Sequence, residues 1–269
     1  MFNLEGAIDS AVKFFQQGDY FKTELVCQQI LEDSPNCEIA IKLLGKIHYA
    51  RLKPKSVSNY AGEAYHLWYY NSHIWTTTTW AGVNVLKSPC DLWNYQEIIY
   101  ELKPSLIIEF GTRYGGATLF FADLLDKMPQ TSKVLSVDID QNYIDHRVQQ
   151  HPRIELMISS STHPVVAQRI LKLRQEFPGR IFAILDSDHA KNHVLGEMLL
   201  LRPLLQPGDY LIVEDGNING HPVLPGWGEG PYEAIEEYFS KYPHDYQLDE
   251  QREQKFGFTW APKGFLIRC

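Results

Sequence analysis

Two short stretches place acids at the ends of apolar runs. Ile184-Leu185-Asp186-Ser187-Asp188-His189 closes one run, and Val213-Glu214-Asp215-Gly216-Asn217 closes the other. If the two runs are neighbouring parallel strands, Asp186, Glu214 and Asp215 meet at their carboxyl ends, the edge where open α/β sheets form ligand crevices. Three carboxylates held together repel one another, so such a group usually holds a hard cation. Mg²⁺ suits it, taking all-oxygen donors and keeping sites for water or substrate. His189, beside the first acids, carries a ring that can take a proton near neutral pH. Asp188 stands as an alternative ligand to Asp186. The plain alternative for the whole set is that these acids cap helices and satisfy strand-end amides.

A second group points to a nucleoside. Ile107-Ile108-Glu109-Phe110-Gly111-Thr112-Arg113-Tyr114-Gly115-Gly116 reads as a strand ending in an acid, a glycine turn and an immediate helix start. Glycine lets the backbone approach a ligand, and a helix N-terminus offers free N–H groups. A nicotinamide fingerprint would want a glycine where Arg113 stands. Asp138 closes the next apolar run, 22 residues beyond Gly116, where a carboxylate can accept both hydroxyls of a ribose. That spacing suits a nicotinamide ribose equally well, so Asp138 indicates a nucleoside without naming it. Capping of the next helix by Asp138 or Asp140 is the structural alternative. Ser159-Ser160-Ser161-Thr162 follows the third run, where an adenine-contacting loop would lie. The expected cofactor contacts are Glu109, Gly111, Thr112, Gly115, Gly116, Asp138 and Ser160.

The elements that must position these residues begin at residue 104. Apolar runs 105–110, 133–138, 153–158, 180–186 and 209–214 alternate with helical stretches near 116–127, 141–149, 164–176 and 190–205. Five strands separated by helices predict an α/β fold with a parallel, doubly wound sheet. After a further helix near 231–241, β-prone segments at 246–248, 256–260 and 264–268 predict an antiparallel pair at the sheet edge. Residues 53–103 read as a connecting and lid region, with Thr76–Thr79 β-prone or loop and a helix from Asp91, its expected N-cap.

Residues 1–52 are helical throughout. Gly18-Asp19-Tyr20, Ser34-Pro35-Asn36, Leu44-Gly45 and Tyr49 resemble about one and a half tetratricopeptide repeats. Such a fragment cannot cover its own apolar face, here Phe14, Phe15, Tyr20, Leu25 and Ile41. It is expected to pack on another subunit or on the rest of its own chain, giving a homo-oligomer, and to serve assembly rather than chemistry.

The chain of 269 residues carries 33 acidic and 25 basic side chains, a net charge of −8. It lacks a Lys/Arg cluster, which argues against nucleic acid. Cys27, Cys37, Cys90 and Cys269 are scattered, without a C-x-x-C pair, so no disulfide framework or zinc site is expected. With no signal-peptide pattern and no apolar run of membrane-spanning length, a soluble cytoplasmic protein with no membrane contact is expected.

Taken jointly, the motifs carry a family resemblance. The glycine turn E-x-G-x-x-x-G-G resembles motif I of S-adenosylmethionine-dependent methyltransferases, and the strand order with its edge hairpin is the layout of their class I, Rossmann-like fold. Trp80-x-Gly82, Lys87-x-Pro89-x-Asp91-Leu92-Trp93-x-Tyr95-Gln96-Glu97, the glycine turn, Asp186-Ser187-Asp188-His189, Glu214-Asp215 and Asn219-Gly220 resemble the cephalosporin hydroxylase/rhamnosyl O-methyltransferase family across about residues 75–265. The resemblance implies S-adenosylmethionine, a divalent metal on Asp186, Glu214 and Asp215, His189 as base, and methyl transfer to a hydroxyl of a sugar or glycoside. Gly216 departs from the threonine usual after Glu-Asp. The chain lacks a His-x-Asp…His iron triad, so oxygenase chemistry is discounted. Trp80, Trp93, Trp227 and several tyrosines are candidates to stack on a sugar. The competing reading is a silent methyltransferase-like scaffold that binds a partner through its N-terminal helices.

Overall fold

The computed structural model describes residues 3–51 and 57–269. The chain divides into two compact units, residues 1–61 and 62–269. The first holds α1 (Leu4–Gln16), α2 (Tyr20–Asp33) and α3 (Glu38–Arg51). Asn3 and Asp19 cap the first two helices, their side chains accepting from Gly6 N at 3.1 Å and Lys22 N at 3.1 Å, which satisfies amides the helices cannot. Ala11, Cys27 and Ala40 are fully buried with Ile30, because small side chains let the helices cross closely. Leu25 and Ile41 stay exposed, while Phe14, Phe15 and Tyr20 are half-buried. The expected boundary at 52–53 and the side chain of Tyr49 lie outside the described residues.

The second unit begins within α4 (Val57–Asn71) and continues through a 3₁₀ turn, Ile74–Thr77, and a small hairpin, β1 (Thr79–Trp80) and β2 (Val83–Asn84). Then come α5 (Pro89–Leu102), β3 (Leu106–Phe110), α6 (Gly116–Asp126), β4 (Lys133–Asp138), α7 (His146–Gln150) and β5 (Ile154–Ile158). Next are α8 (Pro164–Glu176), β6 (Ile181–Leu185), α9 (Lys191–Leu201), β7 (Tyr210–Val213) and α10 (Pro231–Lys241). β8 (Tyr246–Leu248), α11 (Glu250–Gln254) and β9 (Phe265–Arg268) close the chain. Residues 62–103 thus belong to the same unit as the sheet, and Tyr95, Ile98 and Ile99 of α5 are part of its core.

The seven-stranded sheet has the order β5-β4-β3-β6-β7-β9-β8. β3 to β7 are parallel, and β9 and β8 add the antiparallel edge. β3 and β6 are buried at every position, as strands covered on both faces must be. Side chains alternate between the faces. Leu106, Ile108 and Phe110 join Val166, Met198 and Ile235 on one side, and Ile107 joins Tyr95, Phe121 and Phe182 on the other. The order in which successive strands are added reverses between β3 and β6, which opens the crevice at their carboxyl ends.

Three local expectations change. α5 is capped by Ser88, with Pro89 at its first position. Asp91 instead accepts from Thr259 Oγ1 at 2.6 Å and Trp260 N at 2.9 Å. The β-prone segment 256–260 forms no strand, since Asp91 draws its backbone toward α5 and β8 pairs with β9 directly. The helix expected over 141–149 is confined to α7, because Asp145 rather than an earlier residue caps it.

Candidate active site

A cavity of about 760 Å³ opens at the carboxyl ends of β3 to β7 and is lined by all five of the following loops. At one end lies the β3–α6 turn. Gly111, at φ 97, has its Cα so close to β6 that a Cβ would lie 1.9 Å from Asp186 O; at Gly116 a Cβ would lie 2.3 Å from Asn84 O. Both glycines therefore serve backbone packing as well as the cavity wall. Asp138 reaches over this turn, its Oδ2 accepting from Arg113 N at 2.8 Å and its Oδ1 from Asp140 N at 3.0 Å. Thr112 and Ser160 also line the cavity, with their hydroxyls paired to Ser136 at 2.6 Å and Thr162 at 3.0 Å.

Two expected cofactor contacts do not reach the cavity. Glu109 is fully buried beneath the turn, where Thr118 Oγ1 and Ser136 Oγ donate to its Oε2. Burial pushes its carboxyl up to about 7 against those hydrogen bonds, so it ties α6 and β4 to β3. Gly115 caps α6, and a Cβ there would strike Val148 Cγ2 at 2.6 Å.

At the other end Asp186, His189 and Asp215 converge, each offering a ligand atom within 4.8 Å of the others. His189 Nε2 lies 3.2 Å from Asp215 Oδ2 and 3.7 Å from Asp186 Oδ1. Asp215 holds φ 56, a left-handed backbone that aspartate adopts at a cost. Asp188 accepts from Ala190 N at 2.8 Å in a turn just before α9, and Asp186 is the acid of this loop that joins the cluster. Glu214 lies behind the cavity wall, 2% exposed. Its Oε1 accepts from Lys87 Nζ at 3.0 Å and Tyr95 Oη at 2.7 Å. Both contacts use one oxygen, and Glu214, the third expected ligand, lies outside the cluster formed by Asp186, His189 and Asp215.

Lys87 is the residue that sequence reasoning missed. Its ammonium, 2% exposed, bridges Glu214 and Asp186 Oδ2, the latter at 2.5 Å. Burial alone would lower its pKa, but Asp186 and Glu214 outweigh burial and raise it, so it is charged. Asp186 is held well below the usual carboxylate range, because Lys87 and His189 overcome its burial. Asp215 is pushed up to about 8 by burial, opposed by His189 and reinforced by Asp186 and Glu214. Asp215 and Asp186 in turn overcome burial at His189 and raise it to about 9. Three carboxylates against one ammonium leave two negative charges, which protons on His189 and Asp215 offset. A divalent cation supplies the same two charges to hard oxygen donors, so the residues fit one.

Further unforeseen positioning comes from Glu197, fully buried on α9. It accepts from Ser161 Oγ at 2.5 Å and Ser187 Oγ at 2.5 Å, with His193 Nε2 at 3.3 Å, locking the loops after β5 and β6 together. The candidate sugar-stacking tryptophans lie elsewhere. Trp80 donates to Asp123 Oδ2 at 2.6 Å over Phe120, Trp93 donates to Glu97 Oε1 at 3.2 Å, and Trp227 is exposed; none lines the cavity. Tyr70, Trp75 and Trp260 do. Asp123 and Asp126 also gather near His151, but His151 Nδ1 accepts from Arg153 N at 3.2 Å. The proton of the neutral ring then sits on Nε2, facing the two acids, and occupies the atom a metal would need.

Residues 72–269 match the family model for rhamnosyl O-methyltransferase/CmcI. The chain belongs to this family. Rhamnosyl O-methyltransferases from Mycobacterium tuberculosis and Mycobacterium bovis are 58% identical to it over 211 residues, covering 78% of this chain and 86% of theirs. That of Mycobacterium leprae is 58% identical over 206 residues, 77% of this chain and 90% of its own. Among solved structures, CmcI without ligand superposes with a TM-score of 0.58 at 23% identity, covering 72% of this chain and 76% of that one. CmcI with Mg and SAM gives 0.54 at 23% identity, covering 72% and 77%. At that identity the likeness shows the fold, a class I methyltransferase sheet, and the family's matched span lies within the second unit.

Proposed function

We propose that the protein transfers a methyl group from S-adenosylmethionine to a hydroxyl of a sugar or glycoside, with a divalent cation in the site. The observation that carries this reading is one cavity holding the glycine turn and Asp138 at one end and Asp186, Asp215 and His189 at the other. The rhamnosyl O-methyltransferases identical at 58% support a rhamnosyl or related acceptor. When bound, S-adenosylmethionine supplies an electrophilic methyl group, and Mg²⁺ lowers the pKa of a hydroxyl lying against it.

Gly111 and Gly116 give the cofactor close backbone approach, Thr112 and Ser160 contribute hydroxyls, and Asp138 accepts from its ribose. Asp186 and Asp215 hold the cation, with Glu214 adding its charge from behind the cavity wall. Lys87 stays behind them as a fixed counter-charge. His189 is protonated while the acids are uncompensated; with their charge offset, its Nε2 is free to take the acceptor proton. Glu197 holds the loops around the reacting groups, and orientation supplies the remaining acceleration. Calorimetry tests the cofactor half: S-adenosylhomocysteine should bind and NAD should not. Binding of NAD alone would overturn the reading.

A further inference from the structure

The cofactor turn and the acids do not account for the whole cavity. From Ser160 after β5 to Asp215 after β7 the cavity crosses four strand spacings, about 19 Å at 4.8 Å each. Its volume lies toward the upper part of the usual range for small-molecule sites, with room for a second molecule beside a nucleoside. The end over β6 and β7 is walled by three aromatic rings from three separate elements: Tyr70 of α4, Trp75 of the 3₁₀ turn and Trp260 of the loop before β9.

The rings hold one another. Tyr70 and Trp75 lie nearly parallel at 5.8 Å and 29°, and Trp260 stands edge-on to both, at 5.6 Å from each. Trp75 Nε1 donates to Tyr70 O at 3.0 Å. Trp260 is anchored through its backbone, with N donating to Asp91 at 2.9 Å and O accepting from Asn217 N at 3.2 Å. Asn217 follows Glu214 and Asp215 in the same loop, so the corner is tied to the acids. Tyr70 lines the same cavity as Asp215. Trp260 is 3% exposed, and its indole Nε1–H finds no partner among the described residues.

We infer that Tyr70, Trp75 and Trp260 form the acceptor subsite, which takes the apolar C–H face of a deoxysugar. The inference rests on the methyltransferase reading above. Aromatic faces carry negative charge and suit polarised C–H groups, and three rings locked before binding lose little entropy when a ligand arrives. A 6-deoxyhexose presents a methyl group where a hexose presents a hydroxyl. An apolar wall prefers the methyl, because the hydroxyl would give up its water without a partner.

The test uses the full-length protein loaded with S-adenosylhomocysteine and Mg²⁺, titrated with methyl α-L-rhamnopyranoside and followed by tryptophan fluorescence. The wild type should show a saturable change, weaker with methyl α-L-mannopyranoside, which adds the 6-hydroxyl. Trp75→Ala should weaken rhamnoside binding roughly tenfold or more, Trp75→Phe should retain most of it, and both should bind S-adenosylhomocysteine as the wild type does. Undiminished rhamnoside binding by Trp75→Ala, or no saturable change in a wild type that binds S-adenosylhomocysteine, would overturn the subsite. Failure of the wild type to bind S-adenosylhomocysteine would instead overturn the methyltransferase reading and the subsite with it.

Discussion

Replacing Lys87 with methionine tests the electrostatics of the site directly. The side chain is 2% exposed and its Nζ lies 2.5 Å from Asp186 and 3.0 Å from Glu214. Methionine keeps most of the volume, so packing changes little and the charge is what disappears. Among the described residues Glu214, 2% exposed, then keeps the Tyr95 hydroxyl at 2.7 Å, and Asp186 keeps His189 and Asp215 beside it. Removing one partner of a buried ion pair costs about 3–5 kcal/mol, because the remaining charge is left without compensation. For a unit of this size that is a fall in Tm of roughly 6–20 °C. Urea denaturation in chelator is the assay, and Mg²⁺ should restore part of the loss by taking over the charge that Lys87 supplied. In a double-mutant cycle, Glu214→Gln should recover part of the loss caused by Lys87→Met, since the two residues are in contact. Stability within about 0.5 kcal/mol of wild type, the range of an ordinary surface change, would show that the ammonium is not the counter-charge of these acids.

Asp186→Asn or Glu214→Gln should abolish turnover while leaving affinity for S-adenosylhomocysteine roughly intact; chelator should do the same, with rescue by Mg²⁺ or Mn²⁺, and full activity in chelator would refute the metal assignment. His66 is 3% exposed with Nε2 2.8 Å from Asn217 Nδ2, and burial lowers its pKa to about 4. A depressed histidine stabilises the fold fully above its unfolded value near 6.5 and loses that contribution as pH falls toward 4. The loss is up to about 3 kcal/mol, seen as a slope in urea midpoints that His66→Gln should flatten. A chain beginning near Lys53 should lose its oligomer or aggregate in size-exclusion chromatography with light scattering, if the N-terminal helices serve assembly; an unchanged, equally stable oligomer would refute that role.

The sheet was legible because each strand announces itself by burial. β3 and β6 are uninterrupted apolar runs, as strands covered on both faces require, and glycine turns or acids mark their ends. What misled was local chemistry with a distant partner. Asp91 has the residue type and position of an N-cap, yet Ser88 caps α5 and Asp91 reaches Thr259 and Trp260 at 2.6 and 2.9 Å. A carboxylate's choice between its own helix and a loop more than 160 residues away is a tertiary decision that no local pattern encodes. The same contact removes the strand expected at 256–260.

The site divides along the same line. Acids at strand ends can be placed from sequence, because parallel neighbours deliver their carboxyl termini to one edge; Asp186 and Asp215 meet at His189 for that reason. Glu109 illustrates the limit, since its position at the end of β3 is right for a ligand contact, but strand alternation turns it under the glycine turn toward Thr118 and Ser136. Lys87 lies 99 residues before Asp186 and in no motif that names a role. Only its contacts with Asp186 and Glu214 disclose that it is charged. It also alters what the three acids mean: without Lys87 they would form a trianionic pocket, and with it the site is two charges short of neutral, the deficit a divalent ion fills. The charge balance that selects the ion is therefore written as much in this single lysine as in the acids that would bind it.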